Sequence, residues 1–471
     1  MILLNKHRFN KPATRIGIPV AYHISIQMKT FKMGGIHPKE HKFSAGVKIQ
    51  PATIPSQVII PLGHYLGGPS LPVVEAGDVV KVGQLIGKAS GFISANVHAS
   101  VSGIITKIDG HIDASGYKVP SVFIDVQGDE WLESINKSPE IIRECTLTPA
   151  GIIKVISESG IVGLGGATFP THVKLSPPPG KTAEVLIINA VECEPYLTCD
   201  HQLMLEKAEE ILVGVSILMK ALGVSRAVMG IENNKRDAIA IMTKLAKSFE
   251  GIQITPLKVQ YPQGGEKQLI DAVMGRQVPS GTLPIEVGAV VQNVGTTFAI
   301  YEAVQKHKPL FERILTITGK SVKNHGNYRA RLGTPLACIV EQAGGVPEDT
   351  GKIVAGGPMM GRALSSLEVA VAKGTSGVLF IQSMESARKK MQNCMRCAKC
   401  VVACPMGLEP YLLMNQSERS MWSEMEGDRI MDCIECGCCS FVCPSSRPLL
   451  DHIRFGKGIV GKILRNRHAK K

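Results

Sequence analysis

Eight cysteines in the last fifth of the chain fall into two identical runs. The first is Cys394, Cys397, Cys400 and Cys404, followed by Pro405. The second is Cys433, Cys436, Cys439 and Cys443, followed by Pro444. Both read C-x2-C-x2-C-x3-C-P, the spacing at which thiolates hold 4Fe–4S cubes. Three thiolates spaced this closely wrap one cube, and where a chain carries two cubes the fourth ligates the other. The rule assigns Cys394, Cys397, Cys400 and Cys443 to one cluster, and Cys433, Cys436, Cys439 and Cys404 to the other. Each following proline stops the backbone from continuing as helix. Zinc knuckles use four ligands in paired C-x2-C units, which two such runs do not fit. A disulfide framework belongs to short secreted chains. Cys438, beside Cys439, reads as a bystander because Cys439 completes the repeat. The chain is expected to move electrons.

A second set of residues points to a nucleotide. Gly163-Leu-Gly-Gly-Ala-Thr-Phe-Pro170 is a glycine-rich loop whose backbone N–H groups can approach a phosphate without side-chain collision. Lys174 stands four residues beyond it to neutralise charge. Three further segments carry polar groups at expected strand ends or loops: Asn189-Ala-Val-Glu-Cys-Glu-Pro195, Tyr261-Pro-Gln-Gly-Gly-Glu266 and Val291-Gln-Asn-Val-Gly-Thr296. Glu192 and Glu194 at such an end can accept from ribose hydroxyls or a nicotinamide amide; the alternative is plain surface charge.

The elements that must position these groups follow from periodicity. Val185–Asn189 is a buried strand pattern, followed by a helix over Gln202–Leu222. A strand at Ala227–Ile231, a helix over Asp237–Phe249, a strand at Ile252–Val259 and a helix over Glu266–Met274 come next. This βαβα order implies a parallel sheet with helices on its faces, binding ligands at the carboxyl ends of its strands. Residues 35–126 alternate short Val/Ile runs with glycine turns and read as a β module. Its segments Glu75–Gly87 and Val97–Ile105 resemble the biotinyl/lipoyl barrel-sandwich fold. No lysine lies between Lys88 and Lys107, so the module has no carrier lysine and reads as structural. Short strands return over 311–360, and the chain is helical from about Glu385 apart from the cysteine loops.

Composition narrows the function classes. A chain of 471 residues folds as several domains. The net charge of +13 admits nucleic acid, an anionic bilayer or an acidic partner. No nucleic-acid motif accompanies it, so no nucleic-acid role is expected. The basic residues concentrate only at the C-terminus, where Arg454, Lys457, Lys462, Arg465, Arg467, Lys470 and Lys471 interleave with apolar residues. That tail is either a membrane-surface segment or a solvated basic end. No run of 18 apolar residues exists, the nearest (Ile285–Val304) being interrupted by Glu286 and Glu302. Residues 16–26 faintly imitate a signal peptide without a cleavage site, so residues 1–30 read as an extension or a misassigned start, with Met28 as the other start. Cys145, Cys193, Cys199 and Cys338 read as buried thiols.

The glycine loop and strand-end strings resemble the flavin-binding, NADH-oxidising subunit of respiratory complex I. That family carries G-R-G-G-A-G-F-P-T-G-x-K, N-A-D-E-x-E-P, Y-x-C-G-E-E and N-N-V-E-T at the corresponding places. The resemblance implies FMN contacts from Gly163, Gly165, Gly166, Lys174, Asn189, Glu192, Tyr261, Gly264, Glu266 and Asn293, with Phe169 and Glu194 facing NAD(H). Leu164, Thr168, Val191, Gly265 and Gly295 depart from the pattern, replacing an arginine, a glycine and three acids. The whole chain from about Lys29 to Arg454, beginning with Met33-Gly-Gly-Ile-His-Pro-Lys-Glu-His41, is similar in motif order to the C subunit of the Rnf complex. That resemblance implies an oxidoreductase subunit passing electrons between NAD(H), FMN and two 4Fe–4S clusters. Its partners would be the other Rnf subunits, integral membrane subunits and a ferredoxin-like subunit among them, at the cytoplasmic face of the bacterial membrane. Because hydride exchange and one-electron transfer are then cofactor chemistry, no catalytic protein acid or base is expected. The layout also resembles the cobalamin reductase of diol-degrading microcompartments, and a cluster-only wiring adaptor is the alternative from another class.

The fold expected is multidomain α+β. It comprises a β barrel-sandwich module over 31–132, an α/β flavin domain with a parallel sheet over 133–310, a small β-grasp-like (SLBB-type) module over 311–383, a helical two-cluster ferredoxin-type domain over 384–455, and a basic tail over 456–471.

Overall fold

The computed structural model describes residues 28–469. The expected extension lies outside them, except that Lys29 and Thr30 already belong to the fold: Lys29 pairs with Leu257, and the Thr30 hydroxyl donates to Gln263 at 2.8 Å.

The α/β unit begins with α1, Pro149–Glu158. Thr148 caps it by accepting from the Gly151 N–H, and Pro149 fills the first turn, where no amide hydrogen is needed. Four strands follow: β1 Val185–Asn189, β2 Ala227–Glu232, β3 Ile252–Leu257 and β4 Ala289–Asn293. All pair in parallel in the order β3-β2-β1-β4. Covering helices bury both faces, which is why β1 and β2 are continuous apolar runs rather than alternating ones. The helix expected over 202–222 is two helices, α2 Cys199–Glu206 and α3 Ala208–Leu222. Lys207 separates them by leaving helical geometry at φ −130°, ψ 32°. Its amide and carbonyl still bond Leu203 and Ile211, so the break redirects the chain without orphaning backbone groups. Then come α4 Arg236–Ala246, α5 Glu266–Met274 and α6 Val294–Lys306. Ile211, Leu212, Val215 and Leu218 of α3 are fully buried beneath the sheet's core, each contributing roughly 1.5–3 kcal/mol.

Ahead of this unit, two antiparallel sheets form the barrel sandwich. One orders Gln57–Pro61, Lys118–Val126, Gly103–Ile112 and Val79–Val80; the other orders Leu71–Pro72, Leu85–Lys88 and Val97–His98. The hairpin joining the last two strands carries no lysine and packs on the α/β unit instead. There the Phe92 carbonyl meets the His172 ring nitrogen at 2.9 Å, and nearby Leu66 N–H donates to the Thr168 carbonyl at 3.1 Å.

A six-stranded mixed sheet follows, with the helix Leu336–Gln342 on it. Its strands, in spatial order, are Ile49–Pro51, Gly326–Arg331, Glu312–Gly319, Gly377–Gln382, Thr350–Ala355 and Arg362–Ala363. The first comes from residues that the sequence pattern groups with the barrel sandwich. It joins this sheet because Gly326–Arg331 offers it a free parallel edge.

The cysteine segment is held by three helices: α7 Pro410–Glu418, α8 Trp422–Gly427 and α9 Leu449–Ala469. Leu413, Met425 and Ile430 from the linker between the runs form their core. The expected basic tail is instead the second half of α9. Ile453, Val460 and Leu464 recur at helical spacing and face that core, so the segment is bound as helix rather than left as an end. Lys457 donates to the Cys433 carbonyl at 2.6 Å, and Arg454 pairs with Glu435. Substituting Val460→Asp buries an unpaired carboxylate in this core. The expected outcome, read by iron content and proteolysis, is loss of cluster incorporation while the α/β unit stays protease-resistant.

Candidate functional site

The carboxyl edge of the parallel sheet gathers most of the residues singled out in the sequence. Asn189 ends β1; its side-chain amide donates to the Gly264 carbonyl at 2.8 Å, and its oxygen accepts from Val191 N–H. Asn293 ends β4 and caps α6, accepting from Gly295 and Thr296 N–H, while its amide donates to Asp200 at 2.7 Å. The loop Gly163–Pro170 closes through Gly163 N–H to the Phe169 carbonyl and Thr168 N–H to the Gly163 carbonyl. Gly165 lies against Asn293, and Gly166 faces open space at φ +109°, so the loop leaves exposed backbone beside the first turn of α6. Lys174 pairs with Glu266 at 2.6 Å and reaches the Val291 carbonyl at 3.2 Å. Leu164 and Thr168, both departures from the flavin-subunit pattern, sit in the same loop. Leu164 is held by Thr296 and Arg313, and Thr168 takes the left-handed φ of +50° natural to the glycine it replaces.

The loop after β1 carries strain: Glu192 has φ +47° and Tyr196 φ +71°. Two lysines hold it. Lys42 donates to the carbonyls of Glu192, Glu194 and Leu197 at 2.6–2.9 Å. Buried Lys235 donates to the Val191 carbonyl at 2.7 Å and lies 3.6 Å from Glu232. Burial holds the Lys42 ammonium below its ordinary range, opposed by Glu192 and Glu232. The fixed loop lets Glu192 accept from the N–H groups of Asp200 and His201 at the start of α2. Asp200 is pushed up to about 6, by burial first and then by Glu192. Glu192, Cys199 and Asp200 converge, but those amides occupy the Glu192 carboxylate and the Asn293 amide occupies Asp200, so Glu192 serves to cap α2.

Two of the expected cofactor contacts are engaged elsewhere. The Tyr261 ring is buried among Ile36, Ala403 and Cys436, and its hydroxyl donates to the Cys436 carbonyl at 2.8 Å. The Glu194 carboxylate accepts from Met359 and Met360 N–H at 3.1 and 2.7 Å, in the loop after Thr350–Ala355. Burial raises this carboxyl to about 7 against the opposing pull of those amides. Sequence reasoning missed Lys42, Lys235 and Asp200. Only the positively charged Lys39–Lys42 stretch hinted at the first, and spacing cannot show which carbonyls a distant lysine meets.

Several of the cysteines share one cavity. Cys404, Cys433, Cys436 and Cys439 line one cavity together with Pro405, Leu408, Ile434 and Leu450. Burial raises their thiols, Cys433 to about 11 and Cys439 to about 12, except Cys436, which the neighbouring Cys438 thiol lowers by hydrogen bonding. Crowded thiolates in an apolar cavity repel one another, and a cationic iron core relieves that repulsion, so the donor set fits a cluster. Cys438 also lines this cavity as a fifth thiol. Cys400 lies near Cys443, and Cys394 and Cys397 are exposed. The cavity cysteines are therefore largely buried, whereas Cys394 and Cys397 open to solvent.

Sequence-family comparison matches three stretches: a Nuo51 FMN-binding domain over residues 156–302, an RnfC barrel sandwich hybrid domain over 29–129 and an SLBB domain over 314–363. They define the class of chain: an FMN-domain electron-transfer subunit built with a barrel sandwich and an SLBB module. Three curated relatives match over nearly the whole length. The C subunit of the proton-translocating ferredoxin:NAD(+) oxidoreductase complex of Clostridium ljungdahlii is 43% identical, over 91% of this chain and 94% of that protein. The C subunit of the Na(+)-translocating complex of Acetobacterium woodii is 42% identical, over 92% and 98%. The C subunit of the ion-translocating oxidoreductase complex of Rhodobacter capsulatus is 38% identical, over 92% and 84%. The chain belongs to the family formed by the C subunits of Rnf-type ion-translocating oxidoreductase complexes, as the motif order implied. Among solved structures, an NAD+-reducing [NiFe]-hydrogenase chain aligns at 19% identity and a TM-score of 0.47, over 66% of this chain and 62% of that one.

Replacing Lys42 by methionine leaves three carbonyls without their charged donor. The expected loss, read from urea unfolding, is about 3 kcal/mol, and flavin content should fall with it. A carboxyl raised in the fold from its ordinary 4.5 to about 7 binds a proton that the unfolded chain has released. Its contribution to stability therefore falls as pH rises from 4.5 to 7 and is constant above. Glu194→Gln is expected to flatten that part of the unfolding-midpoint profile; identical profiles for both proteins would remove the buried carboxyl from the account.

Proposed function

We propose that this chain is the peripheral electron-transfer subunit of a membrane complex that couples ferredoxin:NAD electron transfer to ion translocation. It would exchange electrons between NAD(H), FMN and two 4Fe–4S clusters. The observation that carries this reading is the direct bond between the two halves of the relay: Tyr261, in the turn beyond β3, reaches the backbone of cluster ligand Cys436. FMN, when bound, takes a hydride's two electrons together and gives them up singly, and the clusters carry one each.

The residues of the chain do the positioning. The Gly163–Gly166 backbone, the start of α6 and Lys174 would hold the flavin phosphate. Asn189, Glu192, Gly264, Glu266 and Asn293 would set the remaining polar contacts, and Phe169 would flank the nicotinamide. Glu194 would act one step removed, fixing the Met359–Met360 loop against the strand end. The buried site (Cys404, Cys433, Cys436, Cys439) would receive electrons from the flavin. The exposed site (Cys394, Cys397, Cys400, Cys443) would pass them to the other Rnf subunits, with a ferredoxin-like subunit as its partner.

No helix among the described residues is long and apolar enough to cross a membrane. The chain would therefore dock on integral membrane subunits at the cytoplasmic face. The occupied Glu194 carboxylate favours one second reading, a cluster-only adaptor without a nucleotide site. The two separate on a single preparation. The proposed function expects one FMN and about eight irons per chain, with NADH–ferricyanide activity. Protein holding iron but showing no flavin absorbance and no such activity would establish the adaptor. The crossed pairing makes its own prediction: in Cys443→Ser, EPR should show the exposed cluster disturbed and the buried one intact.

A further inference from the structure

Gly34–Ile36, ahead of the first strand of the barrel-sandwich sheets, have no role in any site described above, yet they run between the flavin unit and the buried cysteine cavity. Ile36 and Tyr261 exchange both backbone hydrogen bonds, at 2.8 and 2.9 Å. One residue earlier, Gly35 N–H donates to the Ala403 carbonyl at 3.0 Å, next to ligand Cys404. The Gly34 carbonyl accepts from the Gln260 side chain at 2.9 Å. Three successive residues are thus bonded alternately to the two units.

The fit is close enough to exclude any side chain. A Cβ on Gly34 would stand 2.6 Å from the carbonyl carbon and oxygen of Cys404 and 2.8 Å from Pro405 N. These are backbone atoms, which cannot swing aside. On Gly35 it would stand 2.7 Å from Gln260 Nε2 and the Phe31 ring and 2.9 Å from the Tyr261 carbonyl. Both residues also take left-handed φ, +68° and +88°. A strap that merely covered surface would have room to lift away. This one is pinned from both sides, and Tyr261 ties its flavin-side partner to the Cys436 carbonyl across the same buried seam.

We propose that Gly34 and Gly35 are positioning residues: they let the backbone of the Cys404 loop approach the Tyr261 turn and so fix the separation between the flavin site and the buried cluster. Tyr261 is the bridge across that separation. The inference rests on the proposed function for the existence of the two cofactors, and it adds what sets their spacing.

The test compares the full-length wild type with Gly34→Ala and Tyr261→Phe. Each protein is analysed for flavin and iron, mixed rapidly with NADH, and followed at flavin and cluster wavelengths. Hydrogen exchange of the Ala403 region and EPR of the dithionite-reduced clusters are recorded beside it. Both variants are expected to keep their cofactors and the wild-type rate of flavin bleaching. Cluster reduction should slow by roughly tenfold or more, within the ~100-fold that a 1 Å misplacement of reacting groups can cost. Gly34→Ala should also speed exchange at Ala403 and its neighbours, and Tyr261→Phe should alter the EPR signal of the buried cluster alone. Cluster reduction at the wild-type rate in cofactor-replete variants would overturn the proposal. If Gly34→Ala loses its iron, Tyr261→Phe decides by the same criterion. A wild type without flavin or without iron would instead contradict the underlying function.

Discussion

Everything in this chain turns on one close approach between two backbones that are far apart in sequence. The parallel sheet can offer a flavin site only at its carboxyl edge, because strand ends and helix starts converge there. The cluster ligands come from a separate helical segment with its own core. For electrons to pass in the proposed function, those two units must meet in close contact. Gly34, Gly35, Ala403 and Tyr261 provide that contact. The third unit joins the same place, since Met359 and Met360 seat the Glu194 carboxylate beside the seam.

The environment of the cysteines gives the relay an inside and an outside. The cavity nearest the flavin unit is apolar and buried, whereas Cys394 and Cys397 are exposed. Between Glu385 and Glu409 the chain carries Arg388, Lys389, Lys390, Arg396 and Lys399 and no acid. That stretch sets positive charge beside Cys394 and Cys397, with Arg388 paired to Asp451, and in the proposed function this charge favours an acidic partner in encounter.

Much of this was legible in the sequence, and the pattern of success has a physical reason. Cluster ligation, as proposed, is mostly local: three thiolates of one run reach one cube, so spacing alone points to it. The strand Val185–Asn189 was legible because a strand covered on both faces must be an unbroken apolar run. The motif order of the Rnf C-subunit family was legible from about Lys29 to Arg454. What spacing could not show were long-range choices. Lys42 meets carbonyls some 150 residues away, the strand Ile49–Pro51 pairs with Gly326–Arg331, and Tyr261 turns its hydroxyl to Cys436. Each depends on which surfaces meet after folding. The break at Lys207 was hidden because both flanking helices have good helical sequences. The C-terminal residues read as a tail because their charge masks the Ile453, Val460, Leu464 stripe.

The order in which the two clusters become reduced tests the account most directly. The purified chain would be mixed with NADH, frozen at intervals from milliseconds to seconds, and examined by EPR, with each signal assigned by a single ligand substitution in its own set. The signal dependent on Cys433 is expected to rise first and that dependent on Cys394 to follow. The Cys394-dependent signal rising first, or neither signal rising while the flavin bleaches, would contradict it.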